Sequence, residues 1–551
     1  MGSRDSLGEA LQALRWPRAL KAPLIGALWL FLAVSVGRAI LAVSESFSLG
    51  SLMRAFILPL ALMGLLTVLS LTSFQNVRLS FAWPVVSVNQ MVVLLLVAPL
   101  CAYFTLSISH VNLTWFIIIL AALVGCAFSL FLAASRGDIY PLVSFWLILP
   151  FLAFIEWDVK TFWPAVGNWI TETGIPLSSL FLWLFAGTLI ARRFGLSKQG
   201  FVRTSLDKYA FAFVSALFVS VLCSADPGVS LKAFVSEALS MSLFFFLTTN
   251  YLRTKRDLKI FLWGMVGYAV LRVFFAYYFG ITGRLSEVVV SIDQVMIPVL
   301  VSLILISSSK LQRVAGTVGI LFLLRVPIEL QSRGAILIFS MTALMSPLLY
   351  KRYRARVLIG MVLLALAAGV LFDVRYTFQK FVKWTSFDAA LQDQAMRLDG
   401  WQAAWRMMTD HPFSGIGLGM WSQFIPLYGR EFTWSLGGTW ETQTSFIPHA
   451  HNLYLQYGAE AGIAAILALG LLVVAATRKC ICLVRTLHDR ESHTLAVGLL
   501  WAIVGHAVGA LVGMGGFAFY WYLDVGALFW TLMGLIVSLE RIAHSDGGNT
   551  P

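Results

Sequence analysis

Apolar runs, each near the roughly 20 residues needed to cross about 30 Å of hydrocarbon, recur along nearly the whole chain. Their centres fall near residues 33, 62, 97, 124, 148, 184, 217, 242, 269, 298, 319, 342, 364, 465, 506 and 529. They predict about sixteen transmembrane helices, in a range of roughly 12 to 16 because several runs are short or interrupted. The runs are continuous rather than alternating, which excludes a β-barrel. The expected fold is therefore all-α, a polytopic integral membrane helical bundle. The first run, Leu24 to Val43, is long and lacks a small-residue cleavage site, so it reads as a retained helix.

One polar interval breaks the pattern, a long loop spanning residues 374–451. Within it "RLDGWQAAWRMMTDHP" places Leu398, Trp401, Ala404, Trp405 and Met408 on one face of an amphipathic helix. That face either lies in the membrane interface or packs on the bundle. Pro412 ends the helix, and Gly415, Gly417 and Gly419 in "GIGLG" permit a tight, irregular backbone. Residues 1–135 hold few polar features and are expected to form a transmembrane annex, and residues 136–551 a second domain that includes the long loop.

Composition agrees with the pattern: 59% of the residues are hydrophobic, 12% are charged, and the mean hydropathy is +0.82. This exceeds what a soluble core would bury. The net charge of +13 does not point to nucleic acid. The cations sit in alternate short connections, among them Arg192, Arg193, Arg253, Lys255, Lys310, Arg352, Arg478 and Lys479, which is the positive-inside signature. Both termini are then cytoplasmic and the long loop faces outward. Cys101, Cys126, Cys223, Cys480 and Cys482 lie outside that loop, with no disulfide framework or zinc spacing.

Chemistry-bearing residues gather on the outward side. Arg333, between Ser332 and Gly334 in "ELQSRGAIL", can fork two hydrogen bonds to phosphate or serve as a helix-end anchor. Arg284 in "GITGRLSE" and Arg397 share its sidedness, and the three together would form a positive pocket. Arg325 precedes Glu329 by one turn and can pair with it. In "PHAHNLYLQYGAEAG", His451 is a candidate general base, and Asn452, Gln456 and Glu460 follow it on one helix face. The "HAH" pair lacks a carboxylate or cysteine partner at ligand spacing, so no metal is expected. The "GIGLG" follows a helix rather than a strand and is weak as a dinucleotide motif. The Trp-rich stretch Glu156 to Gly174 reads as an interfacial belt or as a sugar-stacking surface.

The order of "SRGA", "RLDGWQAAW", "HPFSGIGLG" and "PHAHNLYLQYGAEAGI", over roughly residues 205–475, resembles the O-antigen ligase and polymerase superfamily of bacterial membrane glycosyltransferases. The resemblance implies transfer of a glycan from an undecaprenyl-pyrophosphate carrier to an acceptor hydroxyl at the periplasmic face of the inner membrane. It implies neither nucleotide sugar, metal nor other cofactor, and displacement with inversion. His451 and Arg333 would be the catalytic pair, with Glu460 and Gly462 matching the family's helix glutamate and glycine. Arg284, Arg397, Arg325, Asn452 and Glu460 would contact pyrophosphate or glycan. The acceptor would be lipid A core for a ligase, or a growing chain for an O-antigen or exopolysaccharide polymerase. A precursor transporter and a structural membrane subunit are more remote. Four extra N-terminal spans depart from simpler family members. The chain's end soon after its last helix disfavours protein O-glycosylation.

Overall fold

The computed structural model describes residues 113–135, 137–162, 176–193, 199–278, 285–329, 346–347, 350–371, 387–429, 447, 449–511 and 523–547. The chain divides into two compact units, Met1–Gly125 and Cys126–Pro551. Of the first unit, only residues 113–125 are described, and they are helical. The predicted centres near 33, 62, 97 and 342 lie outside the described residues.

The second unit is built of helices, with no strand among the described residues. Helix α1, Leu113–Ser135, runs into it, followed by α2 (Tyr140–Phe162), α3 (Leu177–Ala191), α4 (Asp207–Leu222) and the short α5 (Pro227–Ala233). A π-helical turn, Phe234–Leu239, joins α5 to α6 (Ser240–Tyr251), and α7 (Lys255–Tyr278), α8 (Leu285–Ile306) and α9 (Lys310–Glu329) follow. Then come α10 (Arg354–Leu371), α11 (Phe387–Asp410), α12 (Trp421–Tyr428), α13 (Leu453–Thr486), α14 (Arg490–Leu511) and α15 (Leu523–Gly547). Among the described residues, five segments are long and apolar enough to cross a membrane: Pro227–Tyr251, Lys255–Phe275, Leu453–Thr486, Arg490–Leu511 and Gly526–Ser545. In hydrocarbon every backbone group must be satisfied within its own segment, which is why the apolar runs are helical.

Small residues let these helices approach. A Cβ on Gly498 of α14 would lie 2.2 Å from the Ser302 hydroxyl of α8, and one on Gly534 of α15 would lie 2.6 Å from Thr248 of α6. Buried hydroxyls tie the same contacts, Ser302 Oγ donating to the Thr494 carbonyl at 2.9 Å. At the end of the bundle that carries the basic connections, Lys255 pairs with Asp489 at 3.0 Å, Lys259 with Glu491 at 2.9 Å and Lys479 with Glu540 at 2.6 Å. Burial alone would raise the Asp489 carboxyl, but the Lys255 ammonium and the Ser492 donors hold it down to about 2.

Candidate active site

The site begins with a break in a helix. Gly462 of α13 has φ 75° and ψ −177°, a conformation that strains any residue carrying a Cβ. In an unbroken helix the Ile463 N–H would donate to the Ala459 carbonyl. Here it donates to the Pro412 carbonyl at 2.8 Å. The freed carbonyls of Ala459 and Glu460 accept instead from Ile416 N (2.9 Å) and Gly417 N (3.0 Å), and Ser220 Oγ of α4 adds a bond to the Glu460 carbonyl at 2.6 Å. The glycine loop is thus laced into the kink. A Cβ at Gly415 would fall 2.2 Å from the Glu460 carbonyl carbon, which explains glycine there.

Glu460 fastens the other edge of that loop. It is fully buried, and its carboxylate accepts from Gly419 N at 2.9 Å, Trp421 N at 3.1 Å and Gln456 Nε2 at 3.0 Å. Backbone donors at the start of α12 and a side-chain amide offset the cost of burying the charge. Gln456 Oε1 in turn accepts from Ala450 N at 2.7 Å, so one chain of bonds runs from the glycine loop to the residue before His451.

His451 is held at the start of α13 by its neighbours. Its φ of 51° makes it the described non-glycine residue with positive φ, a conformation that costs energy and occurs most at functional sites. Its N–H donates to His449 Nδ1 at 3.0 Å, and the two rings lie 4.1 Å apart. An imidazole nitrogen that accepts carries no proton, so neutral His449 holds its hydrogen on Nε2. Asn452 caps α13 by accepting from Leu455 N at 3.1 Å, and it donates from Nδ2 to the Leu511 carbonyl of α14 at 3.0 Å. Burial first, and the Arg397 cation second, lower the His451 pKa to about 4. The ring is therefore neutral at physiological pH.

Helix α11 brings Arg397 to His451. At Gly400 it passes close to the loop before α13, where a Cβ would lie 3.3 Å from Ile447 and 3.6 Å from Ala450. The buried positions of α11 are Ala395, Asp399, Gly400, Ala403, Ala404 and Met407; of the predicted stripe Ala404 is buried, Leu398, Trp401 and Met408 are half-buried and Trp405 is exposed. Trp405 is 58% exposed. Small residues form the contact because they permit close packing, and the large rings are displaced to the flank.

His451, Arg397, Asn452 and Glu460 are thus gathered at one end of α13. Asn452 and Glu460 have their polar groups committed to backbone partners there, which gives them a positioning place. Arg325 is half-buried on α9, and Arg284 and Arg333 lie outside the described residues. Two residues of the site went unmarked in the sequence. His449 was visible only as half of a possible metal pair, and Gln456 only as a face neighbour of Glu460. Arg272, on α7, is 1% exposed. It is the one charged residue in the run from Leu262 to Tyr278.

No curated protein matches the chain. A protein-family model described as O-antigen ligase matches residues 318–470, a segment that contains Arg325, Arg333, Arg397, His451, Asn452 and Glu460 but not Arg284. Over that segment, which holds the candidate site, the chain is similar to the O-antigen ligase family.

Proposed function

We propose that this protein transfers a glycan from an undecaprenyl-pyrophosphate carrier to a hydroxyl of lipid A core at the periplasmic face of the inner membrane. The observation that carries the reading is His451, a half-buried neutral imidazole in a constrained backbone conformation with the Arg397 cation beside it. The family match over the same residues supports a glycosyltransferase of the O-antigen ligase type.

In the proposed step the acceptor oxygen bonds to the anomeric carbon as the bond from that carbon to the pyrophosphate oxygen breaks. The hydroxyl proton passes to His451, and the bonding electron pair leaves with the pyrophosphate. Attack opposite the leaving group inverts the anomeric configuration. Arg397, with Arg333, Arg284 and Arg325, receives the charge that grows on the leaving group. That anionic charge offsets the Arg397 cation, so the imidazolium formed during transfer is more stable than in the free protein. Glu460, Gln456 and Asn452 keep the His451 segment in place.

Deleting the gene and restoring either the native chain or His451→Ala, followed by analysis of surface glycans, tests this. Lipid A core without glycan, with long chains retained on the carrier, is the expected mutant outcome. Core capped with a single repeat would make the protein an O-antigen polymerase. Loss of a secreted polymer with normal lipopolysaccharide would make it an exopolysaccharide polymerase. Full activity of His451→Ala would overturn the base assignment.

A further inference from the structure

The backbone of His451 is held in a conformation that its side chain disfavours. A φ of 51° lies in the left-handed region, which glycine enters freely and a residue with a Cβ enters at a cost. The chain nevertheless keeps an imidazole there, one residue before the Asn452 cap of α13. Such a conformation persists only where the surroundings over-determine it. Here two successive N–H groups are each taken by a side chain, Ala450 N donating to Gln456 Oε1 at 2.7 Å and His451 N to His449 Nδ1 at 3.0 Å. Asn452 then fastens the next position to α14 through the Leu511 carbonyl.

A side chain that accepts from the N–H two residues ahead makes the turn usually built by asparagine or aspartate. Either would do so with less volume to bury, whereas histidine adds a ring. The His449 ring is 2% exposed, and its centroid stands 4.1 Å from that of His451 at an interplanar angle of 55°. That is below the roughly 4.5–7 Å common between aromatic rings, so the two rings touch and His451 cannot swing toward His449. Because its Nδ1 accepts, His449 is neutral for as long as that bond holds. A neutral neighbour adds no repulsion when His451 takes up a proton, unlike the Arg397 cation, which opposes it.

We propose that His449 is the positioning residue of His451: its Nδ1 fixes the left-handed backbone from which the His451 side chain springs, and its ring bounds the His451 ring on one side. The inference rests on the general-base reading of His451. The imidazole is thereby aimed before an acceptor arrives, and orientation of that kind lowers the barrier to proton transfer. His449 is itself too buried to meet substrate, so it acts through His451. Its loss therefore falls on kcat and leaves KM in place, because binding does not use it and the chemical step does.

The test uses the full chain purified in detergent, a lipid-linked glycan donor and lipid A core as acceptor. His449→Phe keeps a buried ring and loses the acceptor nitrogen; kcat is expected to fall about 10–100-fold with KM unchanged. His449→Asn restores an acceptor for the His451 N–H and should recover most of that loss. His449→Ala, which cannot clash, replaces the phenylalanine variant if that chain does not fold, with the same expectation. Placed on a His451→Ala background, each substitution should lower the residual rate no further, because the residue it would act through is gone. Native kcat in His449→Phe or His449→Ala overturns the proposal. So does an asparagine variant no more active than the phenylalanine or alanine one, a KM that rises with kcat unchanged, or an equal further loss on the His451→Ala background. A fully active His451→Ala defeats the base reading itself, whereas an inactive His451→Ala beside a fully active His449→Phe or His449→Ala defeats only the role of His449.

Discussion

At the scale of single residues, a neutral imidazole of low basicity predicts a particular pH response. Protonated His451 cannot accept a proton, so kcat/KM should hold as the pH falls through 6.5 and decline only as it approaches about 4. Arg397→Gln removes the smaller of the two causes of that depression. Its acid limb should move upward from about 4 without reaching 6.5, because burial remains. A pH series on lipid-linked donor with both proteins checks this, and an unmoved limb would separate Arg397 from the base. His451→Gln should lower kcat by about 10²–10⁴. His451, Asn452 and Arg397 were legible as candidates because titratable groups at a membrane mouth stand out against apolar sequence. The commitments of Asn452 and Glu460 were not legible. Their partners, the Leu511 carbonyl and the Gly419 and Trp421 N–H groups, lie 39 to 59 residues away in the chain.

At the scale of elements, the join between α13 and the glycine loop is where a small change should do most. Gly462→Ala places a Cβ 2.5 Å from the Phe413 carbonyl at φ 75°. Backbone strain alone costs about 1–3 kcal/mol, and the clash adds to it. A lower thermal midpoint in detergent and faster proteolysis within residues 411–420 are expected, and a midpoint equal to that of the native chain would contradict the kink. Glu460→Gln replaces one carboxylate oxygen with an amide that faces backbone donors, a loss of about 1–3 kcal/mol. Glycine and proline in "HPFSGIGLG" predicted an irregular turn, and three glycines with φ of 67°, 111° and 75° form it. The pattern could not say that this turn would pair with a broken helix, because the run from Leu453 onward shows no breaker except glycines such as Gly458 and Gly462 among alanines. The same limit left the face of α11 only partly placed, with Ala404 buried and Trp405 exposed. Hydropathy favours the large rings of Trp401 and Trp405, whereas the neighbour that has to fit selects Gly400, Ala403 and Ala404.

At the scale of the whole molecule, the ion pairs of Lys255, Lys259 and Lys479 stand at one end of the helices and the His451 segment at the other end of α13. If the positive-inside bias orients the chain, single-cysteine proteins should label asymmetrically. Cys223, exposed and next to the Ser224 that lies against Gly417, should react with a membrane-impermeant maleimide added from the periplasmic side. Cys482, exposed near the other end of α13, should not react. The reverse pattern would invert the topology. The sequence by itself determined that the chain is helical and membrane-spanning, and which end of its helices gathers charge. Those properties follow from local hydropathy and from the cost of an unsatisfied backbone in lipid. Tertiary structure alone decided that α13 breaks at Gly462, that Glu460 ties the glycine loop rather than standing open beside His451, and that His506 is buried against Phe529. Each of these depends on hydrogen bonds and close contacts between segments far apart in the chain, which no local pattern encodes.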